Sequence, residues 1–118
     1  NVKLLGFKSN PYKYISKSKL FISSSLWEDP GHALIEASYL NTPILTSDCL
    51  SGPREIYKDG LNAFVYESNN ENEMFDKLKF IIQNYQSTKS ILLASKKIAK
   101  NYTFFNFFKS LNKYVDLR

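Results

Sequence analysis

Short apolar segments that do not alternate with polar residues recur through the first two thirds of the chain, separated by helix-like stretches. Leu20–Ser24 contains the run Leu20-Phe21-Ile22, and Pro43–Ser47 contains Ile44-Leu45. A strand with one face in water alternates apolar and polar residues, whereas a strand covered by helices on both faces does not. Val2–Gly6 and Ala63–Tyr66 read as two further strands, so the pattern predicts a sheet of about four. Between them Pro11–Ser18 and Gly31–Leu40 read as helices, and Pro53–Tyr57 as a helical turn. Strands and helices in alternation predict a parallel sheet, because a parallel return needs a crossover. The expected fold is α/β, a Rossmann-like three-layer α/β/α sandwich.

Past the turn pair Asp59-Gly60 the pattern becomes helical. Asn70 followed by Glu73 has the spacing of a helix cap, and Phe75, Leu78, Ile82 and Tyr85 recur at helical intervals. Thr88 is a candidate cap for a helix carrying Ile91, Ser95, Ile98 and Ala99. Thr103 is a candidate cap for a last helix, with Phe104, Phe107, Phe108, Leu111 and Val115 on one broad face. No repeat, low-complexity tract or linker interrupts the 118 residues. With 43% hydrophobic residues they suit a single domain, residues 1–118, that ends in C-terminal helices.

Charge and cysteine usage narrow the function classes. The net charge is +5, and Lys3, Lys8, Lys13, Lys17 and Lys19 crowd the first twenty residues. That cluster suits attraction to phosphates, of a nucleotide or an anionic membrane, but a solvated lysine-rich face is the simpler reading. No RNA-binding aromatic motif, zinc-ligand spacing or helix-turn-helix pattern accompanies it, so no nucleic-acid partner and no metal site is expected. No apolar run approaches the roughly 20 residues that span a bilayer. Cys49 is the sole cysteine, which leaves no internal disulfide and favours a cytoplasmic setting. The opening Asn-Val-Lys-Leu-Leu-Gly is already strand-like and lacks an initiator Met, as expected of a chain that begins inside a longer protein.

The chemistry concentrates in Ser25-Leu26-Trp27-Glu28-Asp29-Pro30-Gly31-His32-Ala33-Leu34-Ile35-Glu36-Ala37, where the second predicted strand gives way to a helix. Ligands of open α/β sheets sit in the crevice beyond the carboxyl ends of the strands. Pro30 suits the first helical turn, and Asp29 is a candidate N-cap. Gly31 lets a ligand approach the backbone, and the free amides of about Gly31 to Leu34 would point outward at the positive end of the helix dipole, a ready diphosphate site. Glu28 before the helix and Glu36 within it bracket that site. A carboxylate can accept from two vicinal hydroxyls, as in ribose and hexose rings. Glu28 and Asp29 would repel a diphosphate unless they point away from it or nearby cations offset them. By spacing alone, two glutamates eight positions apart equally fit coincidence.

Taken together, these residues resemble the group 1 glycosyltransferases of the GT-B fold. Glu28 to Glu36 is similar to their Glu-x7-Glu motif. Leu40-Asn41-Thr42-Pro43-Ile44-Leu45-Thr46-Ser47-Asp48-Cys49 is similar to their Gly-Thr-Pro-Val-Val-x-Ser-Asp strand. Ser51-Gly52-Pro53-Arg54-Glu55-Ile56, Asp59-Gly60-Leu61-Asn62-Ala63 and the strand Val2–Gly6 extend the likeness in order over about two thirds of the chain. The resemblance implies the C-terminal, donor-binding half of a two-domain retaining glycosyltransferase, with the acceptor-binding N-terminal domain missing and the fragment inactive alone. It implies that Glu36 holds the donor ribose, that Glu28 acts at the transferred sugar, and that the amides of Gly31, His32 and Ala33 meet the diphosphate. Glu55 matches a family position near the donor, and Arg54 would neutralise phosphate charge; a local salt bridge competes with both readings. The family's Glu-Gly-Phe-Gly stands here as Glu28-Asp29-Pro30-Gly31, which implies a stiffer loop. Asn41 replaces a helix-ending Gly, a position where Asn tolerates the left-handed conformation.

The donor implied is a UDP-, GDP- or ADP-sugar, with no separate cofactor, and the products are surface polysaccharides or glycolipids. A lipid-linked acceptor would place the enzyme peripherally on the inner face of the membrane. The alternatives are half of a GT-B-like nucleotide-sugar epimerase and a non-catalytic Rossmann-like adaptor. Asp48 invites comparison with a phospho-acceptor, but no acidic pair follows the first predicted strand. Cys49 reads as a small apolar filler. Tyr12 and Tyr14 read as a helix face packed on the sheet in preference to base-stacking groups. Phe104, Phe105, Phe107 and Phe108 are too many for one helix face in so small a domain. In the resembling family the last helix crosses to the N-terminal domain, so an exposed apolar patch is expected here.

Overall fold

The computed structural model describes residues 1–115. Its centre is a parallel sheet of three strands, β1 (Phe21–Ser23), β2 (Ile44–Ser47) and β3 (Phe64–Tyr66), in the order β1-β2-β3. Phe21 pairs with Ile44 and Leu45 with Phe64, which fixes the register. Among the described residues six α-helices accompany it: α1 (Tyr12–Ile15), α2 (His32–Tyr39), α3 (Pro53–Ile56), α4 (Glu71–Gln83), α5 (Lys89–Ala99) and α6 (Phe104–Leu111).

Alternate strand residues feed two separate cores, as the period of two requires. Ile44 and Ala63 join Leu34, Ile35 and Ala37 of α2, with Ala99 at the end of α5, on one face. Leu45, Phe64 and Tyr66 join Ile81 of α4 and Ile91 of α5 on the other. Every residue of β2 is buried, so a central strand sandwiched between helical layers needs apolar or hydrogen-bonded side chains on both sides. Ile22 of β1 stays 42% exposed, because α4 lies over β2 and β3 and stops short of the edge strand.

The expected three-layer parallel α/β architecture is present, with three strands rather than four. Val2–Gly6 forms no strand: its backbone bonds to no other segment among the described residues, and Val2 and Leu4 are 93% and 96% exposed. Apolar composition alone does not hold an extended segment; the ladder does, and this segment makes none with the outer edge of β1. Other local signals fare unevenly. Asn70 caps α4 by accepting from the Glu73 amide (3.0 Å), and Thr103 caps α6 by accepting from the Asn106 amide (3.4 Å). Thr88 does not cap α5, because its hydroxyl donates back to the Tyr85 carbonyl. The last helix ends at Leu111 instead of continuing to Val115, which lies in a following turn.

A buried polar thread fixes α2 between its neighbours. Ser95 of α5 donates to Ser38 of α2 (2.8 Å), and Ser38 in turn shares a hydrogen bond with the Tyr57 hydroxyl after α3 (3.0 Å). Burial pushes the Tyr57 phenol up to about 12; the Ser38 bond opposes that rise and the charge of Tyr102 adds to it. At its far end α2 stops at Leu40, and Asn41 takes the left-handed conformation (φ 60°) that the sequence expects of it.

Candidate active site at the start of helix α2

The segment after β1 turns sharply into α2, and its backbone explains the residues found there. Gly31, at φ 82°, is the N-cap, a left-handed position where a side chain is strained. Pro30 therefore lies just before the helix, outside its first turn, and Asp29 is not the cap. The amides of Leu34 and Ile35 bond to the Gly31 carbonyl. Among the described residues no protein acceptor meets the amides of Gly31, His32 and Ala33, so the free set is one residue shorter than the sequence suggests. His32 and Ala33 are exposed, as a binding surface requires.

The loop after β2 supports this start. Gly52, at φ 52°, lies so close to Pro30 that a Cβ would run into the Pro30 carbonyl. Trp27 and Leu50 form an isolated parallel bridge nearby. The two loops that leave β1 and β2 thus brace each other at the carboxyl end of the sheet.

Glu28 is half-buried before α2, and its Oε1 accepts from the Ser25 hydroxyl (2.7 Å). Its Oε2 lies 3.7 Å from where a Gly31 Cβ would stand, so the carboxylate sits against the glycine. Glu36, half-buried on α2, accepts from the Tyr12 hydroxyl at Oε1 (3.2 Å). Ala33 and Glu36 together line a hollow of about 340 Å³, with Leu5, Gly6, Lys8 and Tyr14 among its other walls. A second hollow of about 320 Å³, lined mostly by apolar atoms, opens between Tyr12, Glu36, Tyr39 and Tyr102.

The other expected site residues stand apart from that hollow. Arg54 pairs with Asp48 (3.2 Å), so the competing salt bridge is formed, with Asp48 as the partner. The Ser68 amide (2.8 Å) holds the Asp48 carboxyl below the usual range, against its partial burial and with help from Arg54. Glu55 is exposed in the first turn of α3. Cys49 is buried as a free thiol.

Sequence reasoning missed Tyr12 and Ser25 as partners of the two glutamates. It placed Tyr12 and Tyr14 against the sheet, yet both are exposed (47% and 36%) and α1 buries none of its residues. Ser25 stands three residues before Glu28, a spacing that signals local hydrogen bonding. Nothing local links Tyr12 to Glu36, 24 positions away. Among the described residues no cluster of three His, Cys, Asp or Glu side chains is placed to hold a metal ion.

A parallel sheet with helices on both faces, two braced loops at its carboxyl end and unbonded amides opening the next helix defines a Rossmann-like α/β ligand-binding domain. The chain belongs to the group 1 glycosyltransferases: residues 1–102 match the family "Glycosyl transferases group 1". It is 35% identical over 101 residues to N-acetylgalactosamine-N,N'-diacetylbacillosaminyl-diphospho-undecaprenol 4-alpha-N-acetylgalactosaminyltransferase of Campylobacter jejuni, covering 86% of this chain and 28% of that one. Among solved structures it is similar to a point mutant of S. aureus TarM in complex with Fondaparinux, alpha-GlcNAc-glycerol and UDP. That match has 28% identity and a TM-score of 0.83, and it covers 95% of this chain and 23% of that one. The fold is also shared with Anabaena HepE in complex with UDP, at a TM-score of 0.85 and 20% identity, over 93% of this chain and 30% of that one. The chain spans less than a third of the length of the curated relatives it matches.

Proposed function

We propose that this chain is the donor-binding half of a retaining glycosyltransferase and holds a nucleotide-diphospho-sugar at the start of α2. One observation carries the reading: the amides of Gly31, His32 and Ala33 are unbonded and, in sequence, fall between two carboxylates, each of which keeps one oxygen free of its hydroxyl partner. The amides supply fixed positive charge for a diphosphate, in the ground state and as it leaves. Glu28 takes hydroxyls of the transferred sugar, and Glu36 takes those of the ribose. The hollow beside Glu36 is of a size to receive the nucleoside, with Lys8 at its wall. Neither Glu28 nor Asp29 has a cation paired with it among the described residues, so offsetting their repulsion of the diphosphate falls to other groups of the enzyme.

The whole enzyme carries its acceptor site on an N-terminal half and transfers the sugar with retention, using no separate cofactor. Membership of a transferase family favours transfer over the epimerase and adaptor readings. Relatives named for a diphospho-undecaprenol acceptor, for poly(ribitol-phosphate) and for lipopolysaccharide support a role in surface polysaccharide or glycolipid synthesis. A lipid-linked acceptor places the enzyme on the inner face of the cytoplasmic membrane. No helix among the described residues is long and apolar enough to cross it, and the attachment proposed is peripheral. Phe104, Phe105 and Phe107 are 62–80% exposed on α6, which supports docking of that face on the N-terminal half.

Calorimetric titration of the chain with UDP, GDP, ADP and their sugars tests the reading. One of these nucleotides is expected to bind; Glu36→Ala weakens the nucleotide, and Glu28→Ala changes mainly the preference between bare nucleotide and sugar donor. Failure of all of them to bind the folded protein at about millimolar concentration would overturn it.

A further inference from the structure

Glu36 forms the wall between two hollows, one on the nucleoside side and one lined by Tyr12, Tyr39 and Tyr102. A half-buried glutamate with no partner still turns about its last torsion, and its two oxygens exchange places. Here the Tyr12 hydroxyl reaches across from α1 and donates to Oε1 at 3.2 Å. Among the described residues no lysine or arginine pairs with Glu36, so the phenol is the one group holding the carboxylate. Tyr12 itself is 47% exposed and belongs to neither apolar core, so packing does not account for its position.

We infer that Tyr12 is a positioning residue for the donor ribose: by holding Oε1 of Glu36 it fixes the carboxylate plane and leaves Oε2 to receive a ribose hydroxyl. The inference rests on the proposed role of Glu36 and adds the residue that sets its geometry. The coupling is also visible in the phenol, whose titration is raised first by the charge of Glu36 and then by the hydrogen bond to it. Glu28 offers a parallel, since Ser25 occupies its Oε1. The Ser25 brace comes from within the same loop, however, and the Tyr12 brace comes from a different helix. Movement of α1 therefore reaches the ribose contact and leaves the sugar contact alone.

The test compares the 118-residue chain with its Tyr12→Phe variant, using UDP, GDP and ADP, each beside a counterpart that lacks both ribose hydroxyls. The ratio of the two dissociation constants isolates the ribose contact from phosphate and base contacts. In the wild type the complete nucleotide is expected to bind more tightly. In Tyr12→Phe that preference should shrink about three- to tenfold, while affinity for the hydroxyl-free counterpart holds. In a Glu36→Gln background, Tyr12→Phe should change the preference much less, because the two residues act as one unit. Equal weakening of both ligands would assign Tyr12 a merely structural role and overturn the inference, as would an unchanged preference. A wild type that binds nucleotides without regard to the ribose hydroxyls would refute the role of Glu36 itself, and the inference with it. A wild type that binds no nucleotide would refute the donor-domain reading first.

Discussion

Helices α2 and α6 are each eight residues long, and composition alone, without the family resemblance that predicts an exposed α6, suggests opposite fates from those the structure gives them. Four of the eight residues of α6 are phenylalanine, yet none of its residues is buried. Helix α2 contains His, Glu, Ser and Tyr, and still buries Leu34, Ile35, Ala37 and Ser38. What separates them is what lies alongside. Helix α2 is enclosed by the sheet and α5, and it buries even a serine because Ser95 and Tyr57 satisfy that hydroxyl. Helix α6 meets chiefly the short helical turn before it, and two of its rings stack on each other (Phe104 and Phe108, centroids 6.1 Å apart). Apolar character measures what a helix can contribute to a core; topology decides whether a core is there.

The sharpest way to break this contrast is to shorten one side chain in each helix. Leu34→Ala should cost about 3 kcal/mol in urea unfolding, since Leu34 is 1% exposed and its removal leaves a cavity. An effect well under about 1 kcal/mol would mean that α2 is far less enclosed than described. The polar thread gives the next largest effect, at alkaline pH. Tyr57 titrates at about 12 in the fold and near 10 when unfolded, so its contribution is complete below pH 10 and is lost as pH rises through about 12. The shift corresponds to about 2 to 3 kcal/mol. Tyr57→Phe should flatten that limb of the stability profile, followed by tryptophan fluorescence or circular dichroism.

Gly31→Ala should cost about 1 to 2 kcal/mol because of the left-handed backbone, and it should weaken nucleotide binding by disturbing the free amides. Unchanged binding in the folded variant would separate the glycine from the anion site. Asp48 predicts a smaller effect of opposite sign in pH. Its folded pKa is lowered, so its contribution is present above about pH 4, the unfolded value, and fades as pH falls through the folded value. Asp48→Asn should flatten the acid limb of unfolding. Smallest of all, Phe104→Ala should change stability by no more than about 0.5 kcal/mol, because the ring is 80% exposed. A larger loss would show that α6 has a partner within this chain.

The contrast between the helices also marks where the sequence is legible. Strands such as Ile44-Leu45 declare themselves, because double coverage requires consecutive apolar residues and β2 is buried throughout. Asn41, Asn70 and Thr103 declare helix ends, because backbone angles and unpaired amides at those points demand particular residues, whereas the start of α2 misleads, with Gly31 as the cap in place of Asp29. Val2–Gly6 misleads because strand formation depends on a neighbouring ladder, which local composition does not encode. Glu28 and Glu36 stand out as a pair only through the family resemblance, since their spacing alone equally fits coincidence. Their partners are legible only in part: Ser25 is local, whereas Tyr12 meets Glu36 by tertiary folding alone. Arg54 shows the same limit, since its pairing with Asp48 depends on how the loop after β2 closes.

The close seating of Gly52 on the Pro30 carbonyl has a consequence for how such a domain can diversify. Two loops that touch backbone to backbone cannot lengthen, shorten or gain a side chain at the contact one at a time. A lineage adapting this end of the sheet to a new ligand would have to change both loops together or leave this junction untouched. The easier path is to vary the side chains that rim the hollow, such as Leu5, Lys8 and Tyr14, around a backbone that stays in place.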